Sequence, residues 1–249
     1  MAYIQLAPET VTKKIEFPTL SGISADHINN LYKSQSDSSF TKYRTYIQRG
    51  RNFDEITKFI EDDILSGKIE FEVKKGKIRE RISYMIEDKK IPLYRASSMV
   101  SELASLVIFL KNLLMPNDLL IFEEPESHLH PDSQVKIAKV ISKLIKKNLN
   151  LIITTHSDFL LQKINNYLKI SVLPLEKIIE IFGEDLSIQA DDVAINLFIR
   201  DDETNQTMVK MLEFDSFGLT EDIFYQITKE LYQESSIIDE LINRVLEND

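Results

Sequence analysis

Residues 119–131 read LLIFEEPESHLHP, and this stretch decides how the rest of the chain is interpreted. Four apolar residues end in two adjacent carboxylates, Glu123 and Glu124, and Pro125 stops the run. A short apolar run bounded by breaker residues is typical of a fully buried strand in a parallel sheet. Open α/β sheets bind ligands at the carboxyl ends of their strands, which is where these acids fall. Paired like charges at such an edge favour a role with a cation or in a reaction, and the alternative is a solvated acidic loop.

A second short strand follows after one helix. The helix is predicted from Pro131 onward, with apolar residues such as Ile141 on one side and several lysines on the other. Residues 151–155 (LIITT) then form another apolar run, which ends at His156. A strand, a helix and a strand in this order predict a parallel βαβ unit with a right-handed crossover. Both strands therefore bring their last residues, Glu123–Glu124 and His156, to the same edge of the sheet.

A third motif precedes the acidic strand. Ser97 and Ser98 stand before a strongly apolar stretch that ends near residue 114, which predicts a buried helix with a serine cap. The free amides and hydroxyls at such a helix start can bind a phosphate or another anion. An ordinary capped core helix explains the same pattern.

The flanking segments predict mixed secondary structure. Residues 24–65 have helical periodicity, and residues 68–93 alternate as a hairpin or meander with Gly76 in its turn. Aromatic and basic residues interleave over 43–51, which suits either a nucleic-acid contact or a helix with an aromatic stripe. Beyond His156, a helix over 160–168 is expected, then strands over 178–182, 193–199 and 208–214, and finally closing helices over 223–245.

Composition excludes several classes of function. The 249 residues contain no cysteine, so disulfides, thiolate metal sites and cysteine nucleophiles are excluded. No apolar run approaches the roughly 18 residues of a membrane span, and residues 1–8 do not resemble a signal peptide. We therefore expect a cytoplasmic protein that does not engage a membrane.

The charge is distributed unevenly along the chain. Residues 1–170 contain 25 Lys and Arg against 21 Asp and Glu, whereas residues 171–249 contain 5 against 19, which together give the net charge of −10. Because phosphate contacts require cations, the acidic last third is a poor nucleic-acid surface. Nucleic-acid binding by the earlier part stays open.

Taken together, the three motifs resemble the C-terminal half of an ABC/SMC-type ATPase, closest to the bacterial and archaeal "predicted ATPase" branch that includes Old-type nucleases and abortive-infection ATPases. The resemblance covers residues 68–170. It implies an α/β, P-loop NTPase-like lobe with a parallel βαβ core, an N-terminal helical arm with a β-hairpin, and a C-terminal α+β extension. The implied regions are 1–66 (helical arm), 67–170 (ATPase core) and 171–249 (acidic strands and helices).

The resemblance also implies roles for individual residues. Glu123 matches the Walker B acid that orders Mg²⁺, Glu124 the catalytic base that polarises the attacking water, and His156 the switch histidine that senses the γ-phosphate. The signature motif, which contacts ATP across a dimer, matches Ser97 and Ser98. The D-loop region covers residues 127–131 and includes the remaining candidate contacts, Ser127, His128 and His130.

Three departures from the family pattern bear on activity. Glu123 replaces the usual Asp, and the signature serines are not followed by glycine. No G-x-x-x-x-G-K-[ST] sequence occurs in the 249 residues, so the glycine amides and lysine that hold the phosphates are missing. We therefore expect a homodimer or a split ATPase whose P-loop comes from a missing segment or a partner chain. The effector that it drives, in defence or on DNA, is expected on a separate subunit, and the chain alone is expected to be inactive.

Two alternatives need no P-loop. A non-catalytic adaptor could retain the ATPase fold alone. A metal-dependent hydrolase could use the carboxylates and imidazoles between residues 123 and 130, because such donors suit Zn, Mn or Fe.

Overall fold

The chain was analysed as a computed structural model that describes residues 50–72, 81–112, 114–201, 204–215, 218–219, 229–230 and 232–239. The part of the predicted helical region 24–65 that precedes Gly50, most of the interleaved segment 43–51 and most of the predicted closing helices lie outside these residues. Within them, the helices are α1 (Asp54–Phe59, continued by a π-helical turn, Ile60–Ile64), α2 (Ser98–Asn112), α3 (Pro131–Lys146), α4 (Asp158–Lys169) and α5 (Leu175–Phe182). The strands are β1 (Lys68–Glu72), β2 (Arg81–Ile86), β3 (Lys89–Pro92), β4 (Leu119–Glu123), β5 (Asn150–Thr154), β6 (Ile195–Asp201), β7 (Gln206–Leu212), β8 (Phe214–Asp215) and β9 (Gly218–Leu219).

The predicted βαβ unit is confirmed. β4 and β5 pair in parallel, from Leu119 opposite Asn150 to Glu123 opposite Thr154, and α3 connects them. Pro131 stands at the first position of α3, where its missing N–H has no helical partner to lose. The predicted α/β class with a parallel βαβ core is thus observed, and it sets the geometry of the acidic edge.

The burial of β4 and β5 differs from the sequence-based expectation of fully buried strands. Leu119, Ile121 and Ile152 are 56%, 61% and 50% exposed, whereas Leu120 is buried. In the described part of the chain the sheet consists of these two strands only, and helices α3 and α4 follow them in sequence. The apolar run in the sequence predicted burial on both faces, whereas one face of the strand pair is exposed among the described residues.

The core joins helices from different regions of the sequence. Fully buried side chains come from the start of the described chain (Phe53, Ile56, Ile60), from α2 (Val107, Leu110) and from α3 (Ile137, Ile141, Leu144). The apolar helix predicted at residues 97–114 is accordingly a core helix, as its composition indicated. The antiparallel sheet β1–β2–β3 confirms the predicted meander and contributes Ile69 and Tyr84 to the same core. The predicted turn at Gly76 lies outside the described residues.

One element of the C-terminal part was predicted wrongly. Residues 178–182 were expected to form a strand because of their β-branched side chains, but they lie in α5. Pro174 precedes this helix, and Gly183 ends it in the left-handed conformation at φ 77°, donating its N–H to the Ile179 carbonyl. Proline before and glycine after a segment mark a helix, and this signal outweighed β propensity. The hairpin of β6 and β7, by contrast, is confirmed.

The lysines of α3 are not simply a solvated face, as the sequence pattern suggested. Lys139 and Lys143 each approach Glu184, with both Nζ–Oε distances at 2.5 Å, and Lys143 also contacts Glu55 at 2.6 Å. Lys146 pairs with Asp185 at 2.7 Å. These pairs attach both the helix α1 and the segment after α5 to α3.

The three-region division of the chain stays a prediction.

Among the described residues, no helix is both long enough and apolar enough to cross a bilayer.

The core assignment predicts a clear difference between two leucine truncations. Leu144 is fully buried in α3, whereas Leu175 at the start of α5 is 54% exposed. Leu144→Ala should lower the free energy of unfolding by about 2–5 kcal/mol, because it removes buried methyl groups and leaves a cavity. Leu175→Ala should have a far smaller effect. Urea unfolding of both variants checks this, and equal losses would contradict the core described above.

The lysine cluster predicts how stability depends on pH. Burial alone would raise the pKa of Glu184, but the hydrogen bonds from Lys139 and Lys143 outweigh it and lower the pKa below 4.5. A carboxyl group with a lowered folded-state pKa stabilises the protein above its unfolded pKa, and this contribution disappears as the pH falls through the folded value. Glu184→Gln should therefore flatten the loss of stability between neutral pH and about pH 3. Thermal unfolding across that range checks this, with Glu87→Gln in the exposed β2–β3 turn as the control that should keep the wild-type slope.

Candidate functional site

Two consecutive acids lie at the end of β4, and the second has an unusual backbone conformation. Glu123 ends the strand opposite Thr154, and both acids are exposed. Glu124 adopts a left-handed φ of 42°. Its N–H donates to the Thr154 carbonyl at 2.9 Å and also lies 3.2 Å from the Thr154 hydroxyl. Left-handed backbone is uncommon for residues other than Gly, Asn and Asp, and such outliers occur often at functional sites.

The carboxylate of Glu124 has a local partner. The Ser127 hydroxyl donates to Glu124 Oε2 at 3.1 Å, and the Ser127 N–H donates to the Glu124 carbonyl at 2.9 Å. A turn over residues 124–127 therefore holds the acid at the strand end, while its other oxygen, Oε1, makes no hydrogen bond to the described residues.

The loop after β5 is attached to the acidic loop by a third carboxylate. Glu126 is only 8% exposed, and its Oε1 accepts from the Thr155 hydroxyl at 2.8 Å and from the His156 N–H at 2.7 Å. Its other oxygen, Oε2, is buried and has no hydrogen-bond partner among the described residues. The His156 ring is exposed. The backbone of the histidine is thus fixed, while its side chain stays accessible.

Further hydrogen bonds brace the same loop against both helices. The Thr155 hydroxyl accepts from the Ser157 N–H at 3.0 Å, and the Ser157 hydroxyl caps α4 by accepting from the Leu160 N–H at 3.1 Å. The Ser157 hydroxyl also donates to Gln134 Oε1 of α3 at 2.5 Å. Gln134 in turn donates to the Leu129 carbonyl at 2.9 Å, which closes the connection back to the acidic loop.

His128 connects the acidic loop to the start of α2. Its Nε2 lies 3.4 Å from Oε1 of Glu102, and His128 also has a left-handed φ of 60°. The pKa of the Glu102 carboxyl is raised overall, mainly by partial burial; the nearby His128 lowers it and the Glu124 charge raises it. The pKa of this acid in α2 therefore depends on two residues of the acidic loop.

The other candidate residues cap helices. Ser97 accepts from the Val100 N–H at 3.3 Å, so Ser97 caps α2 and Ser98 is its first residue. His130 caps α3 through Nδ1, which accepts from the Asp132 N–H at 3.4 Å.

The structure brings together part of the predicted site. Glu123, Glu124 and the His156 loop share one edge, as the parallel strands predicted, and Ser127 and His128 belong to the same loop. No hydrogen bond or ion pair among the described residues joins Ser97 or Ser98 to these acids. The His130 side chain accepts a hydrogen bond from Asp132 of its own helix, α3.

The sequence interpretation missed the residues that hold this edge together. Glu126 was considered only as a metal ligand, and neither Thr155 nor Gln134 was singled out. The one available signal was a third acid in the loop at the carboxyl end of a strand, which does not reveal that its side chain turns inward.

The donors at the edge fit a hard cation better than a histidine-bound metal. Mg²⁺ takes oxygen ligands and keeps several waters, which suits the exposed carboxylate of Glu123. No three His, Asp or Glu side chains in the described ranges are grouped so that they could share a metal. The donors expected for a Zn, Mn or Fe hydrolase are dispersed instead, since Glu126 bonds the His156 loop, His128 pairs with Glu102 and His130 caps α3.

The sequence profile of the AAA ATPase domain family matches residues 9–161, which is more than half of the chain. The protein therefore belongs to the AAA ATPase domain family, and it contains an ATPase module of this kind. A comparison with curated proteins finds no match.

Among solved structures, the chain is similar to heads of SMC proteins. One, from work on ATP-driven dimerization and DNA-stimulated activation of SMC ATPases, is 16% identical, with 71% of this chain and 90% of that chain covered at a TM-score of 0.46. The Pyrococcus furiosus Smc head with an extended coiled coil, bound to the C-terminal domain of ScpA, is 15% identical, with 87% and 42% covered at a TM-score of 0.45. An SmcHead bound to the C-winged helix domain of ScpA is 20% identical, with 48% and 37% covered at a TM-score of 0.39.

The capping geometry predicts that the two serines at α2 differ. Ser97→Ala removes the cap and should lower the free energy of unfolding by about 1 kcal/mol. Ser98→Ala replaces the first helical residue by a better helix former and should leave stability nearly unchanged. Chemical denaturation of both variants checks this, and a larger loss from Ser98→Ala would show that the cap has been assigned to the wrong serine.

Proposed function

We propose that this chain supplies the acidic and switch side of a Mg²⁺-dependent ATPase site of the ABC/SMC-like kind. The observation that carries the proposal is the shared strand edge, where two consecutive acids lie beside a histidine loop. The Glu124 N–H bonds Thr154 at the end of β5, and the Glu126 carboxylate bonds the loop that follows. Family membership supports the reaction class, and the geometry supports the roles.

Each residue of the edge has a role that its environment supports. Glu123 would hold Mg²⁺, which when bound neutralises phosphate charge. Glu124, held in place by Ser127 with one carboxylate oxygen left for another donor, accepts the proton of the attacking water as a general base. The exposed His156 ring contacts the γ-phosphate. Ser97 and Ser98 would contact the nucleotide that is bound to another subunit of the dimer.

The P-loop must come from elsewhere in this proposal, either from a missing segment or from a partner chain. The exposed side chains of Leu119, Ile121 and Ile152 leave room beside β4–β5 for such a segment, because parallel sheets are normally covered on both faces. A strand that pairs with β4 or β5 and a helix behind it would cover these side chains. The ATP-dependent dimer would then drive a separate defence or DNA-related effector in the cytoplasm.

The adaptor is the second candidate, because it shares the fold and needs no P-loop. It is favoured by the absence of a glycine-rich motif from the 249 residues, but it gives no reason for two exposed acids and an exposed histidine at one strand edge.

The decisive variant is Glu124→Gln. In the chain combined with the polypeptide encoded immediately upstream, this variant should still bind ATP and Mg²⁺ but hydrolyse ATP at least about 100-fold more slowly, because a general base contributes this much or more. Nucleotide binding by calorimetry and phosphate release measure the two effects. The matched control is Glu87→Gln, since Glu87 is also an exposed acid with a left-handed φ, at 52°, in a turn outside the site.

The outcomes separate the candidates. Binding and hydrolysis that appear only with the second polypeptide support the split ATPase. An isolated chain that binds ATP at micromolar concentration would contradict the need for an external P-loop. If neither preparation binds nucleotide and Glu124→Gln changes nothing, the adaptor replaces the ATPase.

A further inference from the structure

We infer that Glu126 is a positioning residue, whose buried carboxylate fixes the backbone of His156 relative to Glu124. This inference deepens the proposed function and rests on it. The residue lies two positions after Glu124 and reaches across to the loop that follows the neighbouring strand. Among the described residues of the acidic loop, Glu126 is the one whose side chain hydrogen-bonds directly to the His156 backbone.

The hydrogen bonds of Glu126 are concentrated on one oxygen. Oε1 accepts from both the Thr155 hydroxyl and the His156 N–H, at 2.8 and 2.7 Å, while Oε2 is buried without a hydrogen bond among the described residues. Glutamine offers the same acceptor oxygen without a charge. Burying the charge is unfavourable, but bonds to a charged acceptor are about twice as strong as neutral ones. The carboxylate thus gives a tighter attachment of this loop than an amide would.

The Glu126 carboxylate holds the backbone of the residue whose side chain would act as the switch histidine. The His156 ring is exposed and has no pairing of its own among the described residues, so its position is set by its backbone. Glu124 is set independently by the Thr154 carbonyl and by Ser127. Glu126 adds a direct bond from the acidic loop to the His156 backbone, and without it the His156 residue would be held less tightly relative to the base.

The chain offers a matched control for a buried glutamate. Glu61 is 6% exposed, and its Oε1 accepts from the Ile69 N–H at 2.7 Å, much as Glu126 accepts from the His156 N–H. Glu61 also pairs with Lys111 at 2.6 Å, and both partners lie away from the acidic edge. Its removal should disturb the fold at least as much and the histidine loop not at all.

The first test uses the full chain alone and hydrogen exchange. Glu126→Ala should speed exchange of the His156 amide by about tenfold or more, since the bond that protects it is gone, and Glu126→Gln should have a smaller effect. Glu61→Ala should leave that amide protected while exposing the Ile69 amide. If the His156 amide exchanges equally in Glu126→Ala and wild type, the inference is wrong.

The second test is a double-mutant cycle in the assembled ATPase. Glu126→Ala should lower kcat by about tenfold with a smaller change in KM, and Glu126→Gln should recover part of the rate. In a His156→Ala background the same substitution should lower kcat no further, because both changes remove one function. Independent, multiplying effects of the two substitutions would overturn the inference, as would an equal loss of kcat from Glu61→Ala.

The two tests separate this inference from the proposed function. If the wild-type assembly shows no ATP hydrolysis, the proposed function fails, and the role of Glu126 in an ATPase fails with it. The exchange experiment then still decides whether Glu126 fixes the His156 loop. If hydrolysis is present and the exchange of His156 is unchanged, only the role of Glu126 is rejected.

Discussion

Because Glu123 pairs with Thr154 in a parallel register, every residue that follows either strand begins at the same edge of the molecule. An antiparallel pairing would place the His156 loop at the opposite end from the acids. The crossover through α3 enforces the parallel arrangement, since a strand can return in the same direction only by such a connection. The hydrogen bonds of Glu124 to Thr154 at the end of β5, and of Glu126 to the loop after β5, then hold the two loops together. The candidate chemistry depends on this sequence of constraints.

The helix α3 stabilises this arrangement from two sides. Its apolar side, with Ile137, Ile141 and Leu144, is part of the core, and its lysines bind acids from distant parts of the chain. Surface ion pairs usually contribute little, but here Glu184 lies between two lysines and Lys143 is largely buried. Part of the acidity of the last third of the sequence is therefore matched by the basic residues of α3. The charge asymmetry between the two parts of the chain is in this respect a sign of contact between them.

The sequence could predict elements whose pattern is set by backbone chemistry. The order of strand, helix and strand, the edge shared by Glu123 and His156, the serine cap of α2 and the start of α3 at Pro131 all follow from local signals. The helix α5 was missed because its β-branched residues were given more weight than the proline and glycine that bound it. The open face of β4 and the inward turn of Glu126 could not be predicted, because both depend on which other segments pack nearby, and periodicity contains no such information.

In the proposed ATPase, the exposed side chains of β4 and β5 link the phosphate-binding loop of the other segment to folding. A parallel strand pair with Leu119, Ile121 and Ile152 in water loses the burial that normally stabilises such sheets. In the proposed ATPase, the segment that brings the P-loop would also cover these residues, since the P-loop follows a strand and opens a helix. Completion of the sheet and completion of the nucleotide site would then be one event. An adaptor would need a different cover for the same apolar face, and so the occupant of that face separates the two functions on physical grounds.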